Sequence, residues 1–207
     1  MPGLLNRRTV ALGPFENEVV AHGGAETGKR HVPILSRCEH GLRALSPAGM
    51  GIEIERKFLL IGEEWRASAV REQHLRDGLV AMTGGRKVRV RICDGQATLT
   101  VKTREAPGVN AEFEYSIPLA DAEEMLTRHC DGNVMSKTRS FVPYRDFTWQ
   151  VDAYDGVMAD VVLAEVELTR IDCDVPLPPW VGREVTGDPA YRKINLFRAR
   201  TGRTAAD

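Results

Sequence analysis

The segment Gly51-Ile52-Glu53-Ile54-Glu55-Arg56-Lys57-Phe58 is the most informative part of this chain, because charged and apolar residues alternate along it. Successive side chains of a β-strand point to opposite faces, so residues 53, 55 and 57 share one face and residues 52, 54 and 58 share the other. The segment therefore predicts a strand over Gly51–Leu60 that carries two acids and a base on one face and apolar side chains on the opposite face.

Short segments with the same period of two follow, separated by turn residues, which is typical of antiparallel strands. Asp94-Gly95 suits the positive φ angles of a two-residue hairpin turn. One helix is predicted from Asp121, with Glu124 as its capping partner, to about Gly132, and a closing helix near residues 189–200. The pattern indicates an α+β fold that is mainly antiparallel β. The further predicted strands are Lys87–Cys93, Gln96–Thr103, Glu112–Pro118, Val134–Val142, Phe147–Tyr154 and Val162–Leu168.

Composition excludes several classes of protein. The 207 residues contain 28 basic and 29 acidic side chains, and a net charge of -1 gives no field that would attract nucleic acid or an anionic membrane. The four cysteines form no C-x-x-C pair, which argues against a zinc ribbon and a redox motif. No apolar run approaches the length of a membrane span. We therefore expect a cytoplasmic protein that binds neither nucleic acid nor membrane. The sequence is compatible with a homodimer as well as with a monomer.

Residues 1–49 differ from the rest of the chain. They contain seven glycines and four prolines and show no sustained period of 2 or 3.6. We expect a disordered or weakly ordered extension, followed by one domain that spans residues 50–207.

Charged residues share one face on most predicted strands. For any single strand, the simpler interpretation is a face turned to water. However, acids lie on the first and last strands, bases lie in the middle, and few neutral polar residues accompany them. We interpret these faces as the interior of a closed barrel, where water, pairing, metal and ligand offset desolvation. The residues are Arg89 and Arg91; Thr98, Thr100 and Lys102; Glu112 and Glu114; Lys137 and Arg139; Asp152; Glu165 and Glu167.

The donor types on these faces indicate the ligand. Carboxylates without accompanying Cys or closely spaced His form an oxygen site, which suits Mg²⁺ or Mn²⁺. Guanidinium and ammonium groups bind phosphate oxygens. The pattern thus predicts a tunnel that binds a metal-bound polyanion.

Glu53-Ile54-Glu55-Arg56-Lys57 resembles the E-x-E-x-K signature of the CYTH superfamily, the triphosphate tunnel metalloenzymes, and the resemblance extends from about residue 50 to residue 196. It implies an eight-stranded closed antiparallel β-barrel, the triphosphate tunnel, with flanking helices. The other matching segments, in the family's order, are Arg89-Val90-Arg91, Thr100-Val101-Lys102, Glu112-Phe113-Glu114, Lys137-Thr138-Arg139, Trp149-Gln150-Val151-Asp152, Glu165-Val166-Glu167 and Glu184-Val185-Thr186.

The resemblance also implies site residues. Lys137 is the candidate catalytic group, because an ammonium can follow the charge that develops on the terminal phosphoryl group; the alternative for Lys137 is a salt bridge to Glu112 or Glu114. The implied phosphate-binding bases are Lys57, Arg89, Arg91, Lys102, Lys137 and Arg139. The implied metal-binding acids are Glu53, Glu55, Asp152, Glu165 and Glu167, with Glu114 as a further acid.

Acids that share one cavity repel each other, and this repulsion bears on stability. We therefore expect Glu53→Gln and Glu165→Gln to remove turnover without lowering thermal stability.

Within the superfamily, the resemblance is to the small bacterial inorganic triphosphatases, and it is carried by Ile54-Glu55-Arg56-Lys57-Phe58-Leu59 and by Pro179-Trp180-Val181-Gly182-Arg183-Glu184-Val185-Thr186. It predicts hydrolysis of a small-molecule substrate, inorganic triphosphate, to pyrophosphate and phosphate with Mg²⁺ or Mn²⁺. Adenylate cyclisation and thiamine triphosphate hydrolysis on the same fold are alternatives, as is a non-catalytic module that binds polyphosphate or nucleotide. Two segments depart from the usual pattern: Gln-Gly-Tyr-Leu in the second strand reads Asp77-Gly78-Leu79-Val80, and Tyr-x-Asn near the end reads Tyr191-Arg192-Lys193.

Overall fold

The computed structural model describes residues 51–202, so the predicted extension over residues 1–49 lies outside the described residues. The strands are β1 (Gly51–Leu60), β2 (Arg71–Thr83), β3 (Arg86–Cys93), β4 (Gln96–Ala106), β5 (Val109–Ile117), β6 (Val134–Tyr144), β7 (Phe147–Tyr154), β8 (Val162–Leu168) and β9 (Val181–Glu184). The α-helices are α1 (Trp65–Ser68), α2 (Leu119–Arg128) and α3 (Lys193–Thr201), and short 3₁₀ turns cover Gly156–Met158 and Pro189–Tyr191.

Eight of the strands close into an antiparallel barrel, as predicted. Their order is β5-β4-β3-β2-β6-β7-β8-β1, and β1 also pairs with β5, which completes the ring. The ninth strand, β9, pairs with β1 from Phe58 to Leu60, beyond the part of β1 that pairs with β5. Closure leaves the eight strands with one common interior face.

The predicted hairpin turn at Asp94-Gly95 is confirmed. Both residues have positive φ angles, 48° and 80°, and Cys93 pairs with Gln96 across the turn. This conformation matches the twist of the flanking strands, and glycine adopts it at little cost. The turn therefore sets the register of β3 against β4, which in turn places the bases of β3 beside Lys102.

Two elements differ from the sequence prediction. Helix α2 begins at Leu119, with Pro118 as its N-cap and no side-chain cap, so the predicted capping box was wrong and Asp121 lies inside the first turn. Strand β2 was not found from periodicity, since Gly78 interrupts the alternation. A Cβ atom at position 78 would lie 2.5 Å from both Cys130 and Leu126, so glycine permits α2 to pack closely on β2.

Apolar side chains cover the outside of the barrel. Trp149 is fully buried and makes edge-on ring contacts with Phe58 and Trp180, at centroid distances of 5.3 and 5.7 Å. Leu126 of α2 belongs to a second cluster with Val90, which points away from the bases on the other face of β3. None of the helices in residues 51–202 is long and apolar enough to span a bilayer.

Candidate active site

The charged faces point into the barrel, as contacts between strands that are not neighbours demonstrate. Lys102 on β4 forms an ion pair with Glu53 on β1, although β5 lies between these strands. Arg139 on β6 reaches Glu165 on β8, with 3.0 Å between Nη2 and Oε2, across β7. Such contacts are sterically accessible only on the inner side of the curved sheet, so the interior is the charged face that the alternation predicted.

One part of the interior is rich in acids. We call Glu53, Glu55, Glu112 and Glu114, which come from β1 and β5, the acidic cluster. Besides its pair with Glu53, Lys102 lies 3.0 Å from Oε2 of Glu112 and 3.9 Å from Oε1 of Glu55. Arg89 lies 3.4 Å from Oε2 of Glu114. Because Lys102 and Arg89 are the bases that contact these four acids, negative charge is in excess here.

The pKa values reflect this excess. Burial and the neighbouring Glu55 raise the pKa of Glu53 to about 7, although Lys102 opposes the shift. Burial also disfavours the charged form of Glu112, but Lys102 and Arg89 outweigh it and lower the pKa to about 2. The acidic cluster would therefore be stabilised by additional positive charge.

A second part of the interior is rich in bases. We call Lys57, Lys137, Arg139 and Lys193 the basic cluster. They surround two acids, Asp152 and Glu165, whose side chains are 0% and 4% exposed. Arg139 forms a fork with Asp152, with Nε 2.6 Å from Oδ1 and Nη2 2.8 Å from Oδ2. Lys57 lies 3.0 Å from Oε1 of Glu165.

Lys137 is the most deeply buried of these bases. Its ammonium donates to Oδ2 of Asp152 at 2.6 Å. Lys137 therefore pairs with Asp152, and not with Glu112 or Glu114 as in the alternative drawn from the sequence. Burial and the neighbouring Arg139 lower the pKa of Lys137, against the opposing effect of Asp152. Lys137 thus lies buried among the other bases of the basic cluster, in a region of positive potential that suits phosphate.

The two clusters differ in how they suit a divalent metal. The carboxylate oxygens of the acidic cluster are hard donors with an excess of negative charge, which fits Mg²⁺ or Mn²⁺. In residues 51–202 no three acidic, His or Cys side chains are already gathered around a metal position, and Lys102 lies among the acids. Asp152 and Glu165 fit less well, because each of their oxygens already lies within 3.2 Å of a basic nitrogen.

The remaining predicted residues occupy less central positions. Arg91 forms a two-point ion pair with Asp77 of β2, and Arg89 donates to the hydroxyl of Thr100 at 3.0 Å. Glu167 is exposed and accepts from the amide of Gln150 at 3.1 Å. These side chains line the same face, but Glu167 makes its hydrogen bond with Gln150 and not with a residue of the acidic cluster.

Three interior charges were missed. Lys87 is in phase with Arg89 and pairs in register with Lys102; burial and the neighbouring bases Lys102, Lys193 and Arg89 lower its pKa to about 8. Because Lys87 stands two residues before Arg89, the period-two alternation predicts both side chains on the same face. Asp77 and Lys193 were visible in the sequence only as departures from the family pattern.

A small cavity of about 50 Å³ lies between the β4–β5 turn and the segment that connects β9 to α3. Glu55 and Lys57 line it, and so do two arginines, Arg104 and Arg192. The cavity therefore joins the interior face of β1 to a basic rim.

Comparisons with known proteins give concordant results. The CYTH domain model matches residues 51–195. An inorganic triphosphatase of Acetivibrio thermocellus is 37% identical over 149 residues, which are 72% of this chain and 95% of that protein. An inorganic triphosphatase of Nitrosomonas europaea is 32% identical over 152 residues, 70% of this chain and 95% of that protein. A crystal structure described as that of an inorganic triphosphatase aligns with 30% identity and a TM-score of 0.49 and covers 72% of this chain and 96% of that one.

Proposed function

This chain belongs to the CYTH domain family, and on that premise we propose that it is a triphosphatase that uses Mg²⁺ or Mn²⁺ to hydrolyse inorganic triphosphate to pyrophosphate and phosphate. The observation that carries the proposal is the division of the barrel interior into an acidic cluster and a basic cluster on one continuous face. A metal-bound polyanion requires both kinds of surface side by side.

The basic side chains bind and orient the substrate. Lys57, Arg139 and Arg89 contact carboxylates at 2.6 to 3.4 Å and can transfer these charge-assisted hydrogen bonds to phosphate oxygens. Because the groups project from paired strands, their positions are set before the substrate binds. Such preorganisation lets positioning and charge neutralisation supply most of the rate acceleration.

The reaction breaks one phosphoanhydride bond. The oxygen of a water molecule attacks the terminal phosphorus, the bond to the bridging oxygen breaks, and pyrophosphate leaves. Lys137 stabilises the negative charge on the terminal phosphoryl group, and a carboxylate of the acidic cluster accepts the proton that the attacking water gives up as the new bond to phosphorus forms. Glu53, Glu55 and Glu112 would hold a divalent ion, which would neutralise charge on the phosphate oxygens.

The acidic cluster also favours a hydrolase over a protein that only binds polyphosphate. Four carboxylates beside a polyanion site weaken binding by repulsion unless a metal is present. A module that only captured polyphosphate would gain nothing from them, whereas a metal-dependent hydrolase requires them.

The direct test is phosphate release from tripolyphosphate, ATP and thiamine triphosphate, measured side by side with Mg²⁺, with Mn²⁺ and with EDTA. We expect metal-dependent release that is fastest from tripolyphosphate and absent with EDTA. Absence of release from all three substrates, under conditions in which tripolyphosphate binds, would instead assign the chain to a binding role.

A further inference from the structure

Tyr154 is the last residue of β7, and its side chain lies on the interior face of the barrel. Asp152, two residues earlier on this strand, points into the barrel, so the period-two alternation brings Tyr154 to the same side. The register partner of Tyr154 on β6 is Lys137, whose ammonium lies 5.7 Å from the centroid of the tyrosine ring. Tyr154 is therefore part of the interior wall beside the candidate catalytic lysine.

Apolar packing fixes the ring of Tyr154. The side chain is 4% exposed and belongs to a buried cluster with Met158, Leu163 and Phe197, the last of which lies on α3. Close packing on these neighbours restricts rotation of the ring, and the phenolic oxygen is rigidly attached to the ring. The position of the hydroxyl is therefore set before a ligand binds.

The hydroxyl of Tyr154 is buried and has no hydrogen-bond partner within residues 51–202. Most buried tyrosine hydroxyls do have a partner, because an unpaired polar group costs free energy when it is removed from water. Lys193, Asp152 and Glu165 act electrostatically on this hydroxyl, so it faces the charged interior. The structure thus has a preset donor at the basic cluster that the protein itself does not use.

A phosphate oxygen is the acceptor that this donor lacks. The carboxylate oxygens of Asp152 and Glu165 each lie within 3.2 Å of a basic nitrogen, so the acids at this position are paired with bases and not with Tyr154. A phosphate bound by the basic cluster would bring new oxygens to the same region. A tyrosine hydroxyl can donate to one of them without adding charge to a region that already contains four bases.

We propose that Tyr154 is a phosphate-binding residue whose hydroxyl donates a hydrogen bond to an oxygen of the phosphoryl group that Lys137 contacts. The proposal rests on the proposed function for the nature of the ligand, a triphosphate. A neutral donor contacts the bound substrate and the transition state to a similar extent, so it contributes to affinity. Lys137 responds to charge that develops in the reaction, so it contributes to kcat.

Tyr154→Phe in the full chain tests this role, because it removes the hydroxyl and keeps the ring. The melting temperature of the ligand-free protein in EDTA should rise, since a buried polar group without a partner is lost. The Kd for tripolyphosphate, measured by calorimetry in EDTA, should rise about tenfold, as expected for loss of a hydrogen bond to a charged acceptor. With Mg²⁺, KM should rise to a similar extent while kcat stays within about threefold of the native value.

Tyr115→Phe is the matched control, because Tyr115 is 59% exposed and lies on the outer face of β5; it should keep the native melting temperature, Kd and KM. A native Kd and KM in Tyr154→Phe overturns the proposal. A lower melting temperature of Tyr154→Phe also overturns it, because the hydroxyl would then have a structural role. A native protein that binds tripolyphosphate without hydrolysing it would refute the proposed function, while the Kd values would still decide the role of Tyr154. A native protein that neither binds nor hydrolyses it would refute both.

Discussion

The ammonium of Lys137 lies 2.6 Å from Oδ2 of Asp152, and the two side chains are 1% and 0% exposed. Asp152 is held in addition by the fork of Arg139, so it does not depend on Lys137 alone for a counterion. Lys137 is therefore available for a role at the substrate that its structural contacts do not require.

Lys137→Met should lower kcat for tripolyphosphate by about 100-fold or more, because an electrostatic contact made to developing charge is lost. Thermal stability should change little, since methionine fills a similar volume and removes an ammonium that burial disfavours. Steady-state kinetics and the melting temperature are measured together. A variant that keeps native kcat would exclude Lys137 from the chemistry.

Glu53→Gln should stabilise the metal-free protein in a pH-dependent manner. The pKa of Glu53 in the folded protein, about 7, lies above its ordinary value of 4.5. The free energy of unfolding therefore falls as the pH rises from 4.5 to 7, because the unfolded state ionises more readily than the folded state. The gain on substitution should reach about 3 kcal/mol at most above pH 7 and disappear below pH 4.5. Urea unfolding in EDTA at pH 4.5 and pH 8 measures it. Glu63→Gln, at an exposed position, serves as control, and an equal gain at both pH values would contradict the expectation.

Glu165→Gln should behave in the opposite way. Mutual repulsion between acids suggested from the sequence that this substitution would not lower stability, but the neighbours of Glu165 are the bases Lys193, Lys57 and Arg139, which lower its pKa despite burial. Loss of the carboxylate leaves buried positive charges without a partner and should cost about 3 kcal/mol at pH 7. Because the folded pKa is depressed, the native advantage is lost as pH falls below 4.5. Unfolding that is unchanged at pH 7 would show that these bases pair elsewhere.

Tripolyphosphate should be hydrolysed more than tenfold faster than ATP at equal concentration. The interior contacts are charges that suit phosphate oxygens, and ribose and adenine would have to leave water without equivalent partners. Competition between the two substrates in one reaction, followed by phosphorus NMR, measures the ratio directly. Comparable rates, or formation of cyclic AMP, would indicate an organic triphosphate as the substrate.

The period-two alternation determined much of this protein without any tertiary information. The strand over Gly51–Leu60, the turn at Asp94-Gly95 and the division of each strand into a charged and an apolar face follow from local geometry, since neighbouring side chains of an extended chain point to opposite sides. The candidate bases and acids were therefore assigned to one face correctly. That the faces enclose an interior, however, was an interpretation that required the barrel to close.

Only the tertiary structure decided which charges neutralise each other. Closure brings β1 beside β5 and β6 within reach of β8, so Glu53 shares Lys102 with Glu112, while Glu165 lies among bases. Lys193 reaches the same interior from a helix at the end of the chain, and the close packing of β2 on β3 joins Asp77 to Arg91. Alternation specifies the side of a strand on which a charge lies, but the free energy of that charge depends on partners that the fold brings together from distant parts of the sequence.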